Sequence, residues 1–339
     1  MAERIYLAAN NGDIGGGEVM ALALARAARD LGRDVAVVAP SGSVVVERAF
    51  ADDLPVVEIH GRNRRQYMAT LRAWDVAARS GVLWCNGLVP AMATAGRRDR
   101  IVHVHLLPVG VNQPAFRIAR SGARAVLVPS EFVAAQIPGS RVLENWVDEV
   151  VTDREPPGRV PATIGFIGRP SVAKGVVVLA EAIRILNARN PDRGRLVVAG
   201  DPAFVPAKEQ AIVREALDSL GSMVSVTGWQ PLPEFFGEVD LAVFPSLVEE
   251  TFGLVVAEAM SARVPFVISD AGALPEVAGP SHSWVAPSGD ALALARAIDS
   301  ALGDWGTAGV EAAHRRWAER YSPDAGRERL AVLLDELGL

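Results

Sequence analysis

The sequence has almost no cysteine, almost no lysine and no long apolar run. Cys85 is its one cysteine among 339 residues, so no disulfide can close within the chain and a reducing compartment is expected. No stretch approaches the roughly 18 apolar residues of a membrane span, and the opening MAERIYLAANNGD is too short in apolar residues for a secretory signal. A soluble, cytoplasmic protein is the expectation. Lys174 and Lys208 are the two lysines, against 32 arginines, so a lysine here stands out from the general habit of the chain. Three signatures are missing as well: the phosphate loop G-x-x-x-x-G-K-[ST], a G-x-G-x-x-G followed by an acid at dinucleotide spacing, and any Asp-x-Asp. The net charge is −6, and its distribution is uneven. Residues 1–148 carry 17 Arg and 14 acids, whereas residues 149–339 carry 17 Lys and Arg and 26 acids. Neither half is basic enough to make a nucleic acid the partner.

Half of the residues are hydrophobic, and the length exceeds that of a usual single domain, so two cores of about 150 residues each are expected. The chain alternates strands and helices throughout. Arg4–Ala9 reads as a strand, Asn10–Gly17 as a glycine-rich loop, Glu18–Leu31 as an amphipathic helix and Val35–Ala39 as the next strand. Gly15, Gly16 and Gly17 allow a ligand to approach the backbone closely at that helix start. Further strands are read at 56–59, 82–85, 101–105 and 125–128, with His105 closing the third of these and His103 on the same face but deeper. In a parallel sheet functional groups gather at the carboxyl ends of strands, which favours His105; His103 reads as a satisfied core group. After a polar, proline-rich stretch, strands recur at 163–168, 195–200, 224–229, 241–244 and 264–269. The pattern gives two doubly wound α/β domains facing a cleft. Their bounds are 1–150 and 162–320, with a linker at 151–161 and a terminal helix at 321–339.

The second half holds the densest chemistry. In Pro245–Glu276, PSLVEETFGLVVAEAMSARVPFVISDAGALPE, a strand end leads through a loop carrying Glu250 into a helix read from Phe252 onward. With Leu254 in the first turn, Glu258 is its i+4 neighbour and shares a face with the free N–H groups that open the helix. Phosphate suits those N–H groups, and a ribose diol suits the carboxylate one turn along. On another loop, Arg169 and Lys174 lie five residues apart, one a planar fork and one a point charge, and both can reach a phosphate.

Embedded as Pro245-Ser246, Glu250-Thr251-Phe252-Gly253, Glu258-Ala-Met260 and Pro265, this stretch resembles the Glu-x7-Glu signature of retaining glycosyltransferases of family 4. Gly15-Gly16-x-Glu18, Arg169-x4-Lys174-Gly175 and Leu143-x-Asn145-Trp146-Val147-Asp148 resemble further elements of that family. The resemblance implies the GT-B fold, two Rossmann-like domains with the terminal helix crossing back onto the first. It implies transfer of a hexosyl or pentosyl group from a nucleoside-diphosphate sugar to a hydroxyl acceptor (glycan, lipid or natural product), without metal or other cofactor. His105, Glu250, Arg169 and Lys174 would be the catalytic groups. Gly15, Gly16, Arg169, Lys174, Trp229, Glu250, Thr251, Phe252, Gly253, Leu254 and Glu258 would bind the donor, Glu258 through the ribose and Glu250 through the sugar.

Three departures are visible. Trp146 and Arg263 stand where the family has glycine, and Ala273 replaces the second glycine of G-G-x-P-E, a change expected to narrow the sugar pocket. A nucleotide-sugar epimerase or phosphorylase of the same fold, or a non-catalytic nucleotide-binding scaffold, is the alternative. The intact Arg169, Lys174, Glu250 and Glu258 argue against the scaffold. Arg62, Arg64, Arg65 and Arg72 form a basic group suited either to solvent or to peripheral contact with an anionic membrane.

Overall fold

The computed structural model describes residues 3–108, 112–153, 160–203, 205–304 and 307–339. Residues 154–159, the greater part of the expected linker, lie outside the described residues. The chain forms two compact units, Met1–Trp146 with Pro323–Leu339, and Val147–Ser322.

Unit 1 is built on seven strands: β1 Arg4–Ala8, β2 Val35–Pro40, β3 Val56–Ile59, β4 Gly81–Asn86, β5 Arg100–His103, β6 Ala125–Val128 and β7 Arg141–Val142. They pair in parallel in the order 3-2-1-4-5-6-7. Parallel sheets have both faces covered, which is why these strands read as unbroken apolar runs. One face buries Leu7, Val37 and Trp84 against Leu24 of the helix Gly16–Asp30 and Leu330, Leu333 and Leu334 of the final helix Pro323–Glu336. The other buries Tyr6, Val38, Leu83 and Val102 against Tyr67, Leu71 and Phe116.

Trp146 has a local counterpart. Gly326, in the final helix, lies flat against its indole, and a Cβ there would come within 2.2 Å of the ring. At β5 the structure departs from the sequence reading, because the strand ends at His103 and His105 lies two residues beyond it. Arg100, at the start of the same strand, is wholly buried. Its guanidinium donates to the carbonyls of Ala91 and Ala119 at 3.1 and 3.2 Å, to those of Arg97 and Ser121, and to the Thr94 hydroxyl at 3.3 Å. Ala91 and Ala119 sit in the last turns of the helices Leu88–Ala93 and Asn112–Ala119, where free carbonyls and the helix dipole favour a cation.

Unit 2 has six parallel strands: β8 Ala162–Ile167, β9 Gly194–Ala199, β10 Val224–Gly228, β11 Leu241–Phe244, β12 Phe266–Ser269 and β13 Val285–Ala286. Their order is 10-9-8-11-12-13. Chain direction reverses across the sheet between β8 and β11, as it does between β1 and β4 in unit 1. Ligands of open parallel sheets bind beyond the carboxyl ends of the strands at such switch points. In unit 2 the two loops that leave this point are the ones carrying Arg169 and Lys174, after β8, and Glu250, after β11.

The helix Leu254–Ser261 starts two residues later than the sequence suggested, with Gly253 as N-cap at φ 95°. It closes on Arg263 at φ 52°. The Val264 amide donates to the Ala259 carbonyl at 3.0 Å and the Arg263 amide to Met260 at 3.3 Å, the paired bonds of a Schellman turn. Arg263 thus takes the left-handed conformation that glycine adopts freely, at a cost of about 1 kcal/mol.

Candidate functional site

Three loops of unit 2 are tied together around Glu250. The Leu247 amide donates to the Ala173 carbonyl at 2.8 Å, joining the loop after β11 to the loop after β8. The Ala273 amide donates to the Glu250 carbonyl at 2.8 Å, bringing in the loop after β12. Gly272 makes that approach feasible: at φ 61° any Cβ would sit 2.4 Å from the Glu250 carbonyl oxygen and 2.5 Å from its amide nitrogen. Ala273 itself is fully buried at an ordinary φ of −80°, so its methyl packs inside this junction and lines no accessible surface of unit 2. The expected narrowing of a sugar pocket by Ala273 is therefore not what the structure shows.

Lys174 and Glu250 meet directly. Nζ lies 2.6 Å from Oε1, with the lysine side chain 40% exposed and the glutamate 17%. The Ser246 hydroxyl donates to the same oxygen, Oε1. Oε2 has no partner among the described residues. Lys174 is itself set by its loop, its amide donating to Ser171 Oγ at 3.2 Å and the neighbouring Val172 amide to Glu209 Oε1 at 2.8 Å. Arg169, on the same loop, is exposed.

Glu258, the fifth residue of its helix, is mostly buried and makes no side-chain hydrogen bond or ion pair among the described residues. Burial pushes its pKa up to about 7. At the start of the helix the amides of Gly253, Leu254 and Val255 donate to no backbone acceptor among the described residues, while Val256 donates to Gly253 at 3.0 Å. A row of free N–H groups therefore stands one turn before a bare carboxylate. That is a place for an anion next to a place for hydroxyl donors.

The remaining donor-site expectations fall differently. Phe252 is 2% exposed and packs edge-on to Tyr321 with centroids 5.4 Å apart, so its side chain belongs to the core and only its backbone could serve a ligand. Leu254 is partly buried against the same core, and Thr251 is half-buried on the loop. Trp229, beyond β10, is 72% exposed.

In unit 1, Gly15 caps the helix Gly16–Asp30, and the sequence reading missed what lies over that cap. Glu18 is 5% exposed, and its carboxylate turns back toward the amides of Asn11, Gly15 and Glu18 itself. Burial raises its pKa while those amides pull it down. Near it, Asn86 closes β4; its Nδ2 donates to the Gly17 carbonyl at 2.8 Å and its Oδ1 lies 2.7 Å from His105 Nε2. A carbonyl can only accept, so the amide orientation is fixed and His105 must carry its proton on Nε2. Burial lowers the His105 pKa to about 4, which leaves the ring neutral at pH 7.

His103, read from sequence as a satisfied core group, is not one. It is fully buried, its ring centroid is 4.2 Å from that of His105, and neither ring nitrogen has a partner among the described residues. Burial and the neighbouring His105 hold its pKa well below the usual histidine range. No group of three or more His, Cys, Asp or Glu that could hold a metal occurs among the described residues.

Residues 161–304 match the family Glycosyl transferases group 1. A D-inositol 3-phosphate glycosyltransferase of Stackebrandtia nassauensis is 34% identical over 267 residues, covering 68% of this chain. The chain spans 58% of that relative's length. Among solved structures, Anabaena Alr3699/HepE in complex with UDP and glucose matches with a TM-score of 0.84 at 18% identity, covering 98% of this chain and 99% of that one. Sucrose-phosphate synthase from Thermosynechococcus elongatus matches with a TM-score of 0.79 at 19% identity, covering 99% of each chain. Parallel sheets of seven and six strands, clothed by helices, are the two halves of the GT-B fold that such enzymes share.

Proposed function

We propose that this chain, whose residues 161–304 carry the Glycosyl transferases group 1 domain, is a retaining glycosyltransferase that moves a sugar from a nucleoside-diphosphate sugar to a hydroxyl acceptor. The observation that carries the reading is the unpartnered Glu258 carboxylate one turn beyond the free amides of Gly253, Leu254 and Val255. A diphosphate on the amides places a ribose diol at Glu258. With a pKa of about 7, that carboxylate is substantially ionised at neutral pH, and two hydroxyl donors would draw it further toward the charged form. The relative named as a D-inositol 3-phosphate glycosyltransferase and the UDP and glucose bound to Alr3699/HepE support this class of donor and make a UDP-sugar the first probe.

In this reading Lys174 and Arg169 neutralise the leaving diphosphate, a task of fixed positive charge in a partly desolvated place. Glu250 offers its uncommitted Oε2 to the sugar hydroxyls. As the bond to phosphate lengthens, positive charge grows on the sugar, and the Glu250 carboxylate stabilises it without forming a covalent bond. The acceptor hydroxyl enters on the face that the phosphate leaves, and the phosphate takes its proton. His105, neutral and held by Asn86, is assigned a hydrogen-bonding role and not that of a general base.

Two variants test the assignment. Glu258→Ala should weaken the free nucleoside diphosphate and the intact donor alike, because the ribose does not change during reaction. Glu250→Ala should leave diphosphate affinity nearly intact and lower turnover by up to about 100-fold. Calorimetry with UDP and initial rates with a panel of UDP-sugars decide it. Equal losses of UDP affinity in the two variants would overturn the assignment of ribose and sugar.

A further inference from the structure

We infer that Ser246 is a positioning residue for Glu250, holding its carboxylate so that Oε2 alone faces the donor; this rests on the reading of Glu250 just given. Three observations carry it. Ser246 is 4% exposed, two residues after β11, and its hydroxyl donates to Glu250 Oε1. Its own backbone cannot drift, because its carbonyl accepts from the Ser269 hydroxyl at 2.7 Å and from the Ser288 hydroxyl at 2.9 Å. Ser269 ends β12 and Ser288 follows β13, so hydroxyls from two neighbouring strand ends fix the residue that fixes the glutamate.

Lys174 alone cannot set the direction of the carboxylate. It holds Oε1 from a flexible, 40% exposed side chain, and a carboxylate held at one point swings about that point. The second donor, on a short and buried side chain, removes that freedom. Both donors take the same oxygen, so the lone pairs of Oε2 stay available for sugar hydroxyls. A serine at this place therefore acts on the reaction through Glu250, without touching the donor.

The test uses the full chain with Ser246→Ala, Glu250→Gln and the double variant, and with Ser246→Thr to restore the hydroxyl. The first readout is unfolding in urea, which needs no substrate. If Ser246 and Glu250 are joined, their effects on the unfolding midpoint are not additive, and additive effects overturn the proposal. The second readout is transfer from the UDP-sugar. Ser246→Ala should lower kcat about 10-fold, as expected for loss of one oriented charge-assisted bond, at unchanged UDP affinity, with Ser246→Thr recovering most of it. An unchanged kcat, or a parallel loss of UDP affinity that marks general damage to the loop, overturns it. A wild-type chain that transfers no sugar sinks the functional reading, while the unfolding cycle still decides the contact.

Discussion

Replacing Glu258 by glutamine should make the protein more stable and a poorer binder, and the size of the gain follows from burial. The carboxyl has a pKa of about 7 in the folded chain against an ordinary value of 4.5. A raised carboxyl contributes stability that is complete below the unfolded pKa and is lost as pH rises through the folded one. At about 1.36 kcal/mol per pKa unit, the charged form at pH 8 holds the wild type about 3 kcal/mol below the stability it would have with the group protonated. At pH 5 most of that loss has not yet occurred. Glutamine keeps the shape and cannot ionise. The advantage of the variant over wild type should therefore grow by about 2–3 kcal/mol between pH 5 and pH 8, levelling above pH 7. Urea unfolding of both proteins across that range, without nucleotide, measures it. A difference that is flat in pH would refute the claim that the carboxylate is buried and unpartnered. Addition of UDP should offset most of that advantage at pH 8, since a ligand at 100 times its dissociation constant adds about 2.7 kcal/mol to the wild type and far less to a variant that binds it poorly.

Lys174→Ala should lower turnover by about 10–150-fold, the equivalent of one charge-assisted contact to the leaving group, as read by initial rates. Its unfolding midpoint should move little, because a partly exposed pair contributes at most about 1 kcal/mol. Gly272→Ala should destabilise by more than about 1 kcal/mol in urea unfolding and depress transfer with it, since a methyl there collides with the Glu250 backbone. Arg62, Arg64 and Arg65 are exposed, and the latter two open the helix Arg64–Ala77, whose first turn has no acid and whose dipole disfavours cations. Arg72 is not part of that exposed group, as its guanidinium donates to the Ala95 carbonyl at 3.0 Å. If the three arginines dock on anionic lipid, each is worth about 1 kcal/mol, and co-sedimentation with phosphatidylserine vesicles should fall with salt and with their replacement by glutamine. No sedimentation at low salt would retire the idea.

The alternation of strands and helices was legible because parallel strands buried on both faces write themselves as apolar runs, and the positions of Glu250, Glu258, Arg169 and Lys174 followed from strand ends and helix starts. What the sequence could not show was set by contacts across long separations. The meeting of Lys174 with Glu250 joins residues 76 apart, and Ser269 and Ser288 carry no signal until strand order brings their hydroxyls to one carbonyl. His105 was placed inside its strand because Val104 prolongs the apolar pattern; the backbone leaves the sheet at His103 regardless. Glu18 looked like the first residue of a helix face, and its return onto the helix start is a local folding choice that periodicity does not report. Phe252 sits inside the motif yet serves the core, since a motif marks a stretch of chain and not each of its side chains.

The flat packing of Gly326 on Trp146 joins two stretches of chain that lie on either side of unit 2 into unit 1. Its sheet and most of its helices emerge from the ribosome before unit 2, but Leu330, Leu333 and Leu334, which close one face, are translated only after all of Val147–Ser322. At about 5–20 residues per second, the open face waits roughly ten seconds or more for its cover while the contiguous unit 2 can complete itself. The unit begun first is thus finished second, and loss of the helix Pro323–Glu336 would uncover an apolar face on a sheet whose strands lie about 180 residues or more earlier in the chain.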